Sequence, residues 1–222
     1  MSSSLPVCPA DDNRSIPPPL FSIVMASFLG EYKYAASDRI RKFHRAIHSM
    51  LNQTFKSWEL IVVADGCMET MNILDEHYPE NKFPRIKRIF IAKQAYLSGE
   101  PRNTGIKNAS GIFIGYEDTD DALGKNHLTI LAEQIKNDEW YFFNDWTADV
   151  QGKWYNRWCS PSLKGQCGTS NILHKRIGSP TWGAGYEHDW EFIQMYQRKA
   201  RVVFLLKSPE YYVCHIPKLL DI

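Results

Sequence analysis

The sequence predicts an α/β protein: a mostly parallel central sheet flanked by helices, followed by a smaller irregular region. Three observations predict it. Short apolar, β-branched runs alternate with helical patterns from residue 21 to residue 118, and that alternation builds βαβ units around a parallel sheet. Three of those runs end on small or polar residues, at Ala26–Phe28, Asp65 and Asp118–Asp121. Ligands of open α/β sheets collect at such carboxyl ends. Beyond residue 136 the alternation gives way to an aromatic-rich stretch without one clear period.

The elements follow in order. Residues 1–19 are rich in Ser, Asp and Pro, with too few apolar side chains to pack, and read as a disordered arm. "FSIVMAS" is a buried strand. "SDRIRKFHRAIHSMLNQ" is a helix with Ser37 as N-cap and Ile40, Phe43, Ile47 and Leu51 on its apolar stripe. "WELIVVADG" is a second strand, residues 69–78 a second helix and "RIKRIFIA" a third strand. "PRNTGIKNASG" is a short helix entered at Pro101, and "IFIGYE" a fourth strand. "KNHLTILAEQIKN" is a helix with Leu128, Leu131 and Ile135 on one face. "SNILHKRI" is a further strand, "EHDWEFIQMYQRK" a helix, and "RVVFLLKSPEYYVCHI" returns to the sheet. No repeat or hydrophilic linker divides residues 20–222, so the expectation is one domain. Its halves are 20–121 and 122–222.

Composition narrows the function. The 222 residues carry 26 basic and 25 acidic side chains, net +1, so any anion is bound locally rather than by a charged surface. No basic leader and no apolar run of about 18 residues occurs, which predicts a soluble or peripherally membrane-associated, cytoplasmic protein. Five cysteines without CxxC spacing argue against a disulfide framework, and Cys159, Cys167, Cys214 and His215 lack the paired knuckles of a structural zinc site.

The densest chemistry is "YEDTDDAL", which crowds Glu117, Asp118, Asp120 and Asp121 where a strand stops. Carboxylates at this spacing suit Mg²⁺ or Mn²⁺, which want oxygen ligands and complete their shell with water and phosphate. The same residues also suit a solvated turn capping the next helix. Arg102 in "EPRNTGI", at a predicted helix start, adds a guanidinium suited to phosphate, or to a simple pair with Glu100.

"FSIVMASF", "AIHSMLNQTFKSWELIVVADGC", "PRNTGIKNASGIFIGYEDTDD" and "GYEHDWEF", in that order, resemble the family 2 glycosyltransferases of GT-A (Rossmann-like) fold over about residues 21–195. The resemblance implies that Ala26, Ser27 and Phe28 border the base and ribose and that Asp65 accepts a hydrogen bond from the base. It implies that Arg102 faces the diphosphate, that Asp118 lies by the ribose or metal, and that Asp120 binds Mn²⁺ or Mg²⁺ with Asp121 as support. Glu31 is a further ribose candidate and His215 a further metal ligand. The sequence departs from the family pattern twice: Ala64 replaces the first acid of the acidic turn, and His188 the first acid of the late motif, leaving Asp65 and Asp189.

The implied reaction is inverting transfer from a nucleoside-diphosphate sugar, UDP-linked in the family pattern and bound by the 20–121 half, to an acceptor hydroxyl on a glycan, lipid carrier or other partner, bound by the 122–222 half. Asp189 acts as general base, with Glu187 and Glu191 as fallbacks. Trp182, His188 and Trp190 are the acceptor-side candidates, Trp182 as a sugar-stacking face. Two other readings use the same carboxylates: a metal-dependent nucleotidyltransferase, and a non-catalytic nucleotide-sugar-binding module. A homo-oligomer is compatible with all three.

Overall fold

The computed structural model describes residues 18–32, 35, 37–94, 98–136, 138, 140–149, 151–176, 181–185 and 187–214. His215 and nearly all of the N-terminal arm lie outside them.

The two longest strands, β1 (Phe21–Ser27) and β2 (Trp58–Asp65), read as unbroken apolar runs because both of their faces are covered. In β2, Leu60 and Val62 enter one core layer, while Ile61 and Val63 enter the other. The first layer is closed by α1 (Arg39–Leu51), α2 (Met68–His77) and α4 (His127–Gln134). The second is closed by α3 (Gly99–Asn108) and α5 (His188–Gln197), which bring Ile106, Phe192, Ile193 and Tyr196 against the sheet. Val24 of β1 belongs to this second layer, and α3 approaches it closely at Gly105, where a Cβ would stand 2.3 Å from Val24 Cγ1.

β3 (Ile86–Ile91) and β4 (Phe113–Tyr116) complete the parallel part, and β6 (Trp140–Phe142), β9 (Ile172–Lys175) and β10 (Val202–Phe204) extend it. The sheet has seven strands in the order β10-β6-β9-β4-β1-β2-β3. β1 pairs in parallel with both β2 and β4, and β9 alone runs antiparallel to its neighbours β4 and β6. The strand order reverses at β1, which places a crevice outside the carboxyl ends of β1 and β4.

A second sheet of four strands, in the order β5-β11-β7-β8, was not foreseen: β5 (Ala122–Leu123), β11 (Tyr211–Tyr212), β7 (Asp145–Ala148) and β8 (Trp154–Arg157). The C-terminal run therefore divides. Val202–Phe204 joins the central sheet as expected, while Tyr211–Tyr212 pairs beside the acidic turn instead.

Three local expectations are corrected. α1 begins after Asp38, which is left-handed at φ 54° and makes no side-chain cap bond, so Ser37 is not its N-cap. Ile40 is 46% exposed; Phe43 and Ile47 are buried as expected, and Ala46 and Met50 complete the buried stripe. α3 starts at Gly99, two residues before Pro101.

Candidate active site

β2 ends on Asp65 and turns at Gly66, whose φ of 63° is the left-handed conformation that glycine adopts without cost. Both Asp65 oxygens are engaged: Oδ2 pairs with Lys93 Nζ at 2.5 Å and Oδ1 accepts from the Gln94 backbone at 2.7 Å. Lys93 also lies 4.1 Å from the centre of the Phe28 ring. Two residues expected at the base, Asp65 and Phe28, are thus joined through a lysine that sequence reasoning did not single out.

The end of β1 offers less than expected. The Ser27 hydroxyl is buried against Thr70 at 2.8 Å, so it is a packing group and not an open ribose contact. Ala26 is partly covered. Arg39 donates to the carbonyls of Phe28 and Gly30 and stacks on Tyr32, pinning the loop that leaves β1 to the first turn of α1. Glu31 is exposed in that loop and lines a surface hollow with Ser37 and Arg41.

Arg102 is the centre of the arrangement. Its backbone N–H is already bonded to Ser98, so it offers no free helix-terminal amide, in contrast to the expectation for a residue at a helix start. Its guanidinium is only 6% exposed and reaches Asp118 Oδ1 at 3.2 Å, His188 Nε2 at 2.9 Å and Asp189 Oδ1 at 3.7 Å. It also stands 4.8 Å over the Trp182 ring. One side chain from α3 therefore holds together the turn after β4 and the first turn of α5.

His188 Nδ1 lies 2.7 Å from the Gly185 carbonyl, which can only accept, so Nδ1 carries a proton. Nε2 faces both Arg102 and, at 3.1 Å, Asp189 Oδ1. Asp189 Oδ1 is thus buried beside both the His188 ring and the Arg102 guanidinium. Desolvation pushes the Asp189 carboxyl up, but His188 and the Arg102 charge outweigh it and hold the group below its ordinary value.

The four carboxylates of the acidic turn have different surroundings. Glu117 is not an ordinary strand-end residue. It is fully buried, accepts from Ser49 at 2.8 Å through Oε1, and leaves Oε2 without a partner. Burial pushes its carboxyl well above the ordinary value. Asp121 uses both oxygens, accepting from Tyr211 at 2.9 Å and from the Cys214 backbone at 2.8 Å. Asp118 is partly open, with Arg102 on one oxygen and the Thr169 hydroxyl at 3.2 Å on the other. Desolvation raises its carboxyl; Arg102 opposes this, while Asp120 and Asp189 add to the rise. Asp120 is partly open as well, with Arg45 donating to its carbonyl at 2.5 Å and the Lys42 charge nearby.

Among the described residues no three acidic, histidine or cysteine side chains converge on a common metal position. Asp118 and Asp120 nevertheless fit a hard cation of the kind that takes one or two carboxylates and fills its shell with water and phosphate. Crowding with Asp120 and Asp189 raises Asp118, and a cation would relieve it. Asp121, with both oxygens occupied, fits a supporting role.

The acceptor-side candidates separate. Trp182 is only 3% exposed and stacks on Phe192, with centroids 3.9 Å apart at 9°, so it is a floor beneath Arg102 and not an open sugar platform. Its indole donates to Tyr116 at 3.1 Å. Asn103 clamps its backbone from both sides, at 2.8 and 3.0 Å. Asn103 stands next to Arg102 in "PRNTG", a motif whose arginine alone drew attention. Trp190 is partly open and lines a separate hollow with Gln194 and Arg198.

A sheet whose order reverses beside an acidic turn, with an arginine bridging that turn to a late helix, has the layout of an α/β ligand site. S. aureus TarS in complex with UDP shares the fold, with a TM-score of 0.66 at 17% identity over 87% of this chain and 60% of that one. An uncharacterized glycosyltransferase of Rickettsia bellii is 30% identical over 146 residues, covering 65% of this chain and 21% of that protein. UDP-Glc:alpha-D-GlcNAc-diphosphoundecaprenol beta-1,3-glucosyltransferase WfgD of Escherichia coli is 29% identical over 130 residues, covering 57% of this chain and 46% of that protein. The chain thus spans less than half the length of these two relatives. Residues 38–203 match Glycosyl transferase family 2, and the chain belongs to that family.

Proposed function

We propose that this chain moves a sugar from a nucleoside-diphosphate sugar to an acceptor hydroxyl, by one displacement that inverts the anomeric configuration. The observation that carries the reading is the Arg102 bridge, which brings Asp118 and Asp189 to one guanidinium from separate elements. A uridine donor is favoured by the names of two similar proteins: TarS was crystallised with UDP, and the E. coli relative is named for UDP-Glc.

Asp189 is the base. Its carboxyl is held below the ordinary value and so is ionised at neutral pH, and the side chain is 39% exposed, which leaves it open to the acceptor's proton. Arg102 stabilises the negative charge that gathers on the departing diphosphate. Phe28 and Asp65, joined by Lys93, hold the base at the other end of the crevice. Asp118 and Asp120 would hold Mg²⁺ or Mn²⁺, which adds charge stabilisation for the leaving group when bound.

Incubation with Mn²⁺ and a panel of nucleotide sugars is expected to release a nucleoside diphosphate, UDP foremost. Absence of donor binding by calorimetry, with and without metal, would overturn the proposal. Pyrophosphate release from a nucleoside triphosphate would point to a nucleotidyltransferase, for which "ASFLGEYKY" after β1 lacks a glycine- and lysine-rich phosphate loop. Asp189→Asn is expected to retain donor affinity while transfer falls by about 10² or more; lost donor binding would contradict the role of base. Asp120→Ala is expected to remove the response to Mn²⁺, and an unchanged response would exclude it as a ligand.

A further inference from the structure

Outside the Arg102 cluster, Cys159 and Cys167 bring their sulfurs to 2.7 Å across eight residues of sequence, although neither is in a disulfide. The segment between them forms a strap with both ends anchored. At its start, the Cys159 N–H donates to Asn144 Oδ1 at 2.9 Å. At its end, Cys167 leads directly into Gly168–Asn171, where Thr169 donates to Asp118. The middle lies on α5: Gln194 donates to the Pro161 carbonyl at 3.2 Å, and Lys164 pairs with Glu187 at 2.5 Å, next in sequence to His188 and Asp189. The strap is therefore tied to Asp118 through Thr169 and, through Glu187, to the start of α5, which carries Asp189. Gly165, at its tip, has a φ of 79° and open space around it, and Cys167 is partly exposed.

We propose that Cys159 and Cys167 form a reversible thiol–disulfide pair, a modification site that locks this strap between the acidic turn and α5. The sulfurs need approach by only a fraction of an ångström to reach the bonded separation of about 2.05 Å. Both chain ends are already held by bonds independent of the sulfurs, so closure leaves the neighbouring strands in place.

The chemistry is exchange with a small disulfide, R–S–S–R. The Cys167 thiol loses its proton, and its sulfur attacks one sulfur of the reagent, releasing R–S⁻ and leaving a mixed disulfide. The deprotonated Cys159 sulfur then attacks Cys167 Sγ and expels the second R–S⁻. Two protein thiols are oxidised to one S–S bond, and the reagent is reduced to two R–SH once the released protons are taken up. The sulfur contact and burial raise the Cys167 thiol above its ordinary pKa, so closure is slow and the dithiol persists until an oxidant arrives.

The test uses the full chain and oxidised glutathione over several hours at mildly alkaline pH, followed by acid quenching, denaturation, alkylation and peptide mass mapping. The expected result is a peptide linking Cys159 to Cys167, lighter by about two mass units than the paired thiols, with Cys67 and Cys214 still alkylated and Cys8 linked to neither partner of the pair. The oxidised protein should melt several degrees above the reduced one and revert with dithiothreitol, as loop closure in the unfolded chain requires. Cys159→Ser and Cys167→Ser should each remove that shift while folding normally in the reduced state. Full alkylation of both residues after oxidation, a persistent glutathione adduct on Cys167, or an equal melting shift in both serine variants would overturn the proposal. None of these readouts requires sugar transfer, so failure of the proposed activity and failure of the redox pair are told apart.

Discussion

The parallel half, from β1 to β4, and the half that follows are held by different kinds of interior. The first buries long aliphatic strands on both faces, and its buried titratable groups include the carboxylates Glu117 and Asp121, each pushed well above its ordinary value. The second has short strands, a separate small sheet and an aromatic cluster of Trp140, Trp182, Phe192 and Tyr196. Its strongly perturbed buried groups include the histidines His127 and His174, depressed to about 3 and about 4. The lesson is one of division. The regular half fixes where the crevice lies and supplies Arg102 and Asp118, while the irregular half adds Asp189, His188 and Thr169 on shorter and more individually packed elements.

The sharpest break of that comparison is Trp182→Ala. If the second half relies on aromatic packing, removing the ring stacked on Phe192 and lying beneath Arg102 is expected to cost about 3–5 kcal/mol. Chemical denaturation measures it, and a loss below about 1 kcal/mol would show that the ring is not structural. Next is Arg102→Lys, which keeps the charge but loses the planar fork that serves Asp118 and His188 from separate nitrogens. Transfer is expected to fall by about 10², with a smaller change in melting temperature. Near-normal turnover in this variant would mean that charge alone, and not the bridge, serves the site.

Legibility in the sequence follows the same division. The parallel sheet was readable because β1 and β2 are long apolar runs separated by a helix with a clear stripe, and because Asp65 and the acidic turn stand where such runs stop. Ile40 was misplaced since helical spacing alone does not say which end of a stripe meets the sheet. The small sheet was not readable: β5 and β11 are two residues each, and their pairing is set by tertiary contact, not by periodicity. Arg102 and Asp189 were named from the sequence, but the bridge between them spans 87 positions and no local pattern encodes it. Lys93 and Asn103 were missed for a related reason. Each is an ordinary polar residue until the fold brings it to Asp65 or to the Trp182 backbone.

The smallest expected effect concerns pH, and it separates the two halves by sign. A carboxyl raised by burial, such as Glu117, is protonated in the fold over a range where the unfolded chain has released its proton, so it withdraws stability as pH rises from 4.5 toward its folded value. A buried histidine does the reverse. The unfolded chain binds a proton below 6.5 that the folded protein does not take until about 3 at His127, so stability falls as pH drops through that window. Each such histidine contributes a slope of about 1.4 kcal/mol per pH unit. His127 packs edge-on to Phe143 and Tyr211, and its Nδ1 is buried without a partner, so His127→Phe keeps the ring contacts and removes the titrating group. Between pH 6 and 5 the variant is expected to lose about 1.4 kcal/mol less than the parent in urea unfolding. Parallel curves for the two proteins would mean that His127 is protonated in the fold, and the contrast between the halves would then rest on His174 alone.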